Sequence, residues 1–418
     1  VDGKAQEVET LTLEDCLRIG IDNNLSLEGK RKEIQKSKYG VSENRSKLLP
    51  QITVIAGYNN NFDPPVSVTD GSSYGVPYNI TKTLQHTANA GLEMQMPLFN
   101  QTLYTSMSIA KVMEEISRLS YGKAREDIIM QISKMYYLGQ VTAEQIVLIK
   151  ANITRLEELR DITQAFFDNG MSMEVDLKRV NINLENLKVQ YDNAQAMMKQ
   201  QLNMLKYIMD YPAEKEFVLT PVNTDSITTV ALTGLSENIY ELQLSQSQVQ
   251  LAEKQKKIIS NGYIPSLSLT GSWRYAAYTD KGYHWFHSGP SNHWFRSYGL
   301  GLTLRIPIFD GLDKTYKIKK AMIDIENSKL AWENARKSLQ TQYLNAVNDL
   351  MNNQRNFKKQ KDNYLLAEDV YTVTSDRYRE GIASMTEVLQ DEMQMSEAQN
   401  NYISAHYNYR ITNLMLLK

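Results

Sequence analysis

Two hydrophobic periods alternate along the chain. Between Pro50 and Pro97 apolar residues recur at every second position. Ile52, Val54, Ala56 and Tyr58 alternate with Thr53, Ile55, Gly57 and Asn59, and Ala88, Ala90, Leu92, Met94 and Met96 alternate with Asn89, Gly91, Glu93 and Gln95. The pattern returns after Pro265 in Leu267, Leu269, Gly271, Trp273 and Tyr275, and before Pro307 in Tyr298, Leu300, Leu302, Leu304 and Ile306. Period two predicts strands with one apolar face, at about 51–63, 86–97, 266–279 and 295–307. Elsewhere the period lengthens. After Gly170, Leu177, Val180, Leu184, Leu187, Tyr191, Ala194 and Met198 follow a 3,4 spacing. After Gly381, Val388, Asp391, Met395, Ala398, Tyr402, Ala405 and Tyr409 repeat it at an offset of 211 residues. That is a coiled-coil seam. Tyr343, Leu350, Phe357, Tyr364, Tyr371 and Tyr378 stand seven apart and read as helix-packing core rather than as a cofactor box.

The ten prolines avoid 98–211 and 308–418, as long helices require, because an interior proline costs about 3 kcal/mol there. The motifs come in pairs: Leu49-Pro50 with Ile264-Pro265, Met96-Pro97-Leu98-Phe99-Asn100 with Ile306-Pro307-Ile308-Phe309-Asp310, and Phe167-Asp168-Asn169-Gly170 with Tyr378-Arg379-Glu380-Gly381. Such near-constant offsets mark an internal duplication. The expected division is a first repeat at 1–210, an inter-repeat linker or equatorial segment at 211–234, and a second repeat at 235–418. In each repeat a helix of about 70 residues, roughly 100 Å long at 1.5 Å per residue, turns at a glycine into a returning helix. The hairpin tips fall at Gly170 and Gly381.

Strands of about 10–12 residues match the oblique crossing of a bilayer. Trp273, Trp285 and Trp294 lie in or beside them, like an interfacial girdle. An ordinary half-buried sheet would show the same alternation; if these strands span a membrane, several chains must share one barrel, because four strands close none alone and open edges are forbidden in lipid. Composition narrows the field. The 46 Lys+Arg against 48 Asp+Glu of this 418-residue chain give no basic excess for nucleic acid. The mean hydropathy of -0.45, with no apolar run near 18 residues, excludes membrane-spanning helices but not a barrel. The chain opens on Val1, which fits a removed signal peptide or a trimmed chain.

On these motifs the sequence resembles the outer-membrane efflux family, the TolC-like channel proteins. Leu11-Thr12-Leu13-Glu14-Asp15-Cys16-Leu17 with Asn23-Asn24, Leu49-Pro50, the two proline–phenylalanine motifs, Phe167-x-x-Gly170 with Asp176-Leu177, Tyr378-x-x-Gly381 with Glu387-Val388-Leu389, and Ala398-x-x-x-Tyr402-x-x-Ala405-x-Tyr407-x-Tyr409 carry the resemblance over nearly the whole chain. It implies a mainly α fold with membrane β. Long antiparallel helical hairpins would form an α-barrel tunnel, and four transmembrane strands per chain would enter a 12-stranded barrel of a homotrimer. It also implies an equatorial belt, built here from Leu11–Asn24, 211–234 and the C-terminal end. The partners would be outer-membrane lipid, a periplasmic adaptor (membrane fusion protein) and an inner-membrane pump of RND or ABC type, with the helices in the periplasm. The rival reading is a non-channel periplasmic coiled-coil adaptor or surface stalk, which leaves two duplicated strand pairs unexplained.

No cluster points to an enzyme, a cofactor or a metal site. His284-x-x-His287 with His293 sits in a turn-rich stretch without a completing carboxylate or cysteine. Cys16 falls among Leu13, Leu17 and Ile21 as a core position. The tips Gly170, Met171, Ser172 and Gly381, Ile382, Ala383 are candidate adaptor-docking sites, with Met171 and Ile382 as exposed apolar knobs; plain turn chemistry is the other reading. Asp176, Glu387 and Asp391 are either solvated charges or, in a trimer, rings of three at a pore entrance. The resemblance further implies a gate held by polar ties, here Tyr378 donating to Asp176. Ala383 and Gln390 stand where the family pattern has a basic residue and an aspartate, so one tie is expected to be missing. Connectors near Val66–Lys82 and Tyr283–Asn292 are expected to face outside the cell.

Overall fold

A computed structural model describes residues 9–221, 239–279 and 294–416. In chain order the elements are β1 (Glu9–Leu11), α1 (Leu13–Asn23), α2 (Leu25–Ser46), β2 (Gln51–Asn60), β3 (Val66–Asp70), β4 (Tyr78–Lys82), β5 (His86–Phe99), α3 (Gln101–Asp168), α4 (Glu174–Met209), β6 (Phe217–Leu219), α5 (Tyr240–Asn261), β7 (Ser266–Thr279), β8 (Trp294–Arg305), α6 (Asp313–Arg379) and α7 (Met385–Leu416). The four expected strands and both helical hairpins are present. Trp285, the three clustered histidines, the connector at 283–292 and most of the linker lie outside the described residues. The chain divides into two compact units. One contains 1–33, 118–244 and 332–418; the other contains 34–117 and 245–331. Each unit draws on both sequence repeats.

The second unit carries a four-stranded antiparallel sheet in the order β2-β5-β7-β8. The proline–phenylalanine motifs mark where strand becomes helix. Pro97, which donates no ladder hydrogen bond, coincides with a register shift near the end of β5. The asparagine that follows caps α3, its Oδ1 accepting from the Thr102 and Leu103 amides at 3.0 and 3.4 Å. Asp310, its counterpart, accepts from the Lys314 amide and ammonium at 3.2 and 2.9 Å. The connector between β2 and β5 contains a hairpin of its own, β3 against β4, where the sequence suggested only turns.

The first unit is helical. Its largest core joins all four hairpin helices: Leu156 and Leu159 of α3, Val180, Leu184 and Leu187 of α4, Tyr371 and Tyr378 of α6, and Met385, Val388, Leu389 and Met395 of α7. The aromatic stripe of α6 continues inward, with Phe357 at 5.8 Å from the Tyr402 ring and Tyr364 at 5.7 Å from the same ring. A second core gathers Leu11, Cys16, Ile132, Tyr136, Leu205, Met209, Phe217 and Leu219. There β1 pairs with β6 in parallel, a pairing that the sequence pattern does not announce. Thr12 and Asp15 form a capping box at the start of α1. Asn24 closes α1 and opens α2, donating to the Ile208 carbonyl at 2.7 Å and accepting from the Leu27 amide at 3.1 Å. Burial, with the Asp15 charge beside it, pushes the Cys16 thiol up to about 12, so it packs as an inert core residue.

The tightness of the four-helix core has a measurable consequence. Leu156→Ala removes a fully buried side chain and is expected to cost about 2–5 kcal/mol. The midpoint of helix loss in detergent, followed by circular dichroism, should fall; an unchanged midpoint would mean the site collapses around the cavity.

Candidate functional site

The register of the sheet sorts its side chains into two faces. Val54, Leu92, Trp273 and Tyr298 form one row across all four strands, and Ile52, Met94, Gly271 and Leu300 form the next on the same face. Among the described residues nothing covers this face on its outer strands: Val54 is 75% and Leu300 80% exposed. Aliphatic residues occupy the end where the strands run into helix. Tyr58, Trp273, Tyr275, Tyr298 and Trp294 take the half nearer the connectors. Trp294 sits at the connector end of β8, whereas Trp273 sits well inside β7. The opposite face is polar: Thr53, Glu93 and Ser272 share a row with Gly299, and Glu93 is ion-paired with Arg274. Such a sheet has one surface for lipid and one for water. Both outer strands, β2 and β8, pair on one side only.

The helical tips repeat one geometry. Gly170 and Gly381 hold φ of 73° and 75°, left-handed values that favour glycine. At the first tip the Gly170 amide donates to the Phe167 carbonyl at 2.9 Å and the Met171 amide to Phe166 at 2.8 Å. At the second, Gly381 donates to Tyr378 at 2.9 Å and Ile382 to Arg377 at 2.8 Å. Both are Schellman closures. Met171 and Ile382 project into solvent, 68% and 63% exposed. Ala383, by contrast, packs on the four-helix core, and Ser172 is half-buried with a hydroxyl that finds no partner.

The entrance carboxylates have structural work of their own. Glu387 is the third residue of a capping box, accepting from the Ser384 amide at 3.0 Å while its own amide donates to Ser384 Oγ at 3.3 Å. Asp176 holds the same place in the first turn of α4, behind Met173 as cap, and pairs with Arg179 at 3.3 Å. Carboxylates there favour the helix dipole. The tie expected between Tyr378 and Asp176 is not what the chain makes. The Tyr378 ring is buried beside Phe166, with centroids 5.6 Å apart, and its hydroxyl donates to Thr163 Oγ1 at 3.3 Å. Tyr378 belongs to the aromatic core stripe, and its phenol is used in joining α6 to α3.

A polar seam went unrecognised in the sequence. Glu392, Gln399 and His406 stand seven apart on α7, all buried. Each faces α3. Gln399 accepts from Asn152 Nδ2 at 2.6 Å. His406 is fully buried, with Nδ1 at 3.1 Å from Glu144 Oε2. Arg410 Nε donates to His406 Nε2 at 2.9 Å, so Nε2 is the acceptor and Nδ1 carries the proton toward Glu144. Tyr402 donates to the same carboxylate at 3.0 Å. Burial raises the Glu144 carboxyl, but the bonds and charges of His406, Tyr402 and Arg410 together hold it below the usual glutamate value. Glu392 lacks such partners: one of its oxygens is buried unbonded, and burial lifts its carboxyl despite the attraction of Arg155. Asp391, singled out from sequence, is only half-buried. The seven-residue spacing of Glu392, Gln399 and His406 was the available signal.

A sheet with one lipid-type face and a polar reverse, carried with two long helical hairpins, defines a channel-type protein of the outer membrane. The profile of the outer membrane efflux protein family matches residues 19–209 and 223–418, and the chain belongs to that family. It is 21% identical over 389 residues to the outer membrane protein TolC of Vibrio cholerae, covering 90% of this chain and 83% of that one. Two solved structures share the fold. The CmeC outer membrane channel of Campylobacter jejuni gives a TM-score of 0.78 at 17% identity, over 97% of this chain and 84% of that one. The open state of the MtrE outer membrane channel of Neisseria gonorrhoeae gives 0.77 at 18% identity, over 97% and 87%. The protein is an outer-membrane efflux channel of the tripartite type.

The unpaired carboxyl gives a pH-dependent expectation. A carboxyl raised in the folded state stabilises the fold at acid pH, and that contribution is lost as pH rises through its folded value. Glu392→Gln, neutral at every pH, should therefore melt higher than the parent at about pH 8, with the gap closing toward the ordinary carboxylate range. A gap independent of pH would show that Glu392 is not the titrating group.

Proposed function

We propose that three copies of the chain form a single exit duct, each contributing its four strands to a 12-stranded barrel. The observation that carries this reading is the pair of open edges. β2 and β8 are 10 and 12 residues long and lack neighbours on their outer sides among the described residues, while the face they share is apolar. In hydrocarbon each unpaired backbone group costs several kcal/mol. Pairing β8 of one copy with β2 of the next removes every edge without any additional protein. The polar face, with Thr53, Glu93, Ser272 and Arg274, then lines the lumen.

The helices extend into the periplasm, and the connector at 66–82 faces outside the cell. The tips at Gly170–Ser172 and Gly381–Ala383 receive the helical hairpin of an adaptor, which links the duct to an inner-membrane pump. Two exposed apolar residues on duplicated, closely similar turns support this assignment. Asp176, Glu387 and Asp391 lie in the first two turns of the helices that return from the tips. Three copies of each would favour cations there, in addition to the capping that Asp176 and Glu387 perform. Tyr378 contributes by fixing α6 to α3, not by a tie to Asp176.

Two measurements test the proposal. Light scattering in mild detergent should return a trimer mass, and a stable folded monomer would refute the shared barrel. Gly381→Trp should abolish export while trimer mass and helix content are retained, because the left-handed turn and the close approach of a partner both favour glycine; unchanged export would remove this tip from docking.

A further inference from the structure

Two helices of the four-helix unit expose apolar stripes that no described part of their own chain covers. On α4, Val175, Ile182 and Val189 stand seven apart, and Met197 and Met204, also seven apart, follow one position on. On α6, Leu344 and Met351 stand seven apart and Leu365 resumes the same line two heptads on, with Leu366 and Val373, also seven apart, one position beside it. All of these are exposed, although the buried seams of the same helices, Val180–Leu184–Leu187 and Tyr371–Tyr378, are already used in the four-helix core. A seven-residue repeat is the signature of a helix as partner rather than lipid, whose disorder imposes no period. The α6 stripe is broken once, where Lys358 takes the next heptad position after Met351.

From these stripes we infer that α4 of one copy packs along α6 of the neighbouring copy, with Asp192 of the first meeting Lys358 of the second. The inference rests on the trimer proposed above. Rotation about a symmetry axis preserves height along it, so residues that meet across such an interface lie at equal height. The tips are close to level within the chain: Arg179 in the second turn of α4 donates to Thr386 in the first turn of α7 at 3.3 Å. Asp192 lies 22 residues after Gly170 and Lys358 lies 23 before Gly381, which places them at matching heights on antiparallel helices. Both are exposed, and neither has an ion-pair partner among the described residues. Glu185, one heptad before Asp192, is already taken by Lys188 at 3.0 Å. Lys359 beside Lys358 strengthens the positive end, and Asp362 one turn further faces the height of Lys188. The stripes supply contact area, and the charges select one register of two sliding helices.

Cysteine cross-linking tests the pairing directly. Asp192→Cys combined with Lys358→Cys, oxidised in detergent, should give covalent dimers and trimers on a non-reducing gel that revert with reductant. A disulfide requires Cα atoms within about 7 Å, and the native Cys16 is fully buried. Separately, Asp192→Lys should shorten the lifetime of the trimer in detergent at low salt, and adding Lys358→Asp should restore it. Trimer mass with only monomer bands, or with a fast-migrating intrachain species, overturns this interface and leaves the trimer standing. Failure of the charge swap to rescue overturns the ion pair. A monomer mass by light scattering instead overturns the trimer reading beneath it.

Discussion

Backbone hydrogen bonding in hydrocarbon is the constraint on which the rest of this structure depends. A strand in water satisfies its free edge with solvent; a strand in lipid has no such recourse. The chain builds two interior strands, β5 and β7, that are paired on both sides, and two outer strands that are paired on one. The interior pair joins the first sequence repeat to the second, so the duplication creates the seam of the sheet. That seam carries the Glu93–Arg274 ion pair on its polar face, and a partly solvated pair of this kind adds little stability but fixes which residues stand opposite. The outer pair leaves the sheet with two open edges among the described residues.

The helical unit obeys a different solvent. In water an amphipathic helix needs only one buried face, and each of α3, α4, α6 and α7 has one in the shared core. What is unusual is how much polar chemistry the buried faces contain. An all-apolar seam between α3 and α7 would pack more tightly, yet Asn152, Glu144, Gln399 and His406 are placed there and satisfy one another. Buried polar pairs penalise every register but one, because a slip of one turn leaves each group unbonded. Two helices of this length, with similar apolar residues at every heptad, would otherwise have several near-equivalent alignments. The seam thus trades stability for a unique alignment of the two hairpins.

Much of this was legible in the sequence, and the reasons are physical. Period-two and period-seven patterns are set by backbone geometry, so the strands, the hairpins and the aromatic stripe from Leu350 to Tyr378 could be read without a structure. The tips were legible because a left-handed turn leaves glycine as its mark. The parallel pairing of β1 with β6 was not, since three-residue strands have no period and their partners lie some two hundred residues away. Within one chain the Tyr378 hydroxyl goes to Thr163 rather than to Asp176. Tyr378 was assigned to a bond with Asp176 by resemblance, while its place in the seven-residue stripe had already put it in the core, beside Phe166 and Thr163. The stripe was the stronger signal, because burial of a ring outweighs a single hydrogen bond at an exposed helix end.

The two acidic neighbours on α7 differ in the same way. Asp391 fits the apolar 3,4 register only as a polar intruder, and the structure leaves it half-buried; Glu392, one residue on, falls in the line of Gln399 and His406 and is buried outright. A helix with thirteen buried residues among thirty-two has more than one inward line, and it serves them with different chemistry. One line, Val388, Met395, Tyr402 and Tyr409, is apolar or aromatic and supplies area. The other is polar and supplies alignment. Glu392 is the one member of the polar line whose partner is incomplete, with Arg155 near enough to be felt electrostatically but bonded instead to Glu368 at 3.1 Å and to Asn152. Arg155 also retains a buried, unbonded Nε. An acceptor and a donor left unsatisfied in one neighbourhood mean that this part of the seam is the least firmly specified. Of the three polar positions on α7, Glu392 is the one nearest the tip at Gly381.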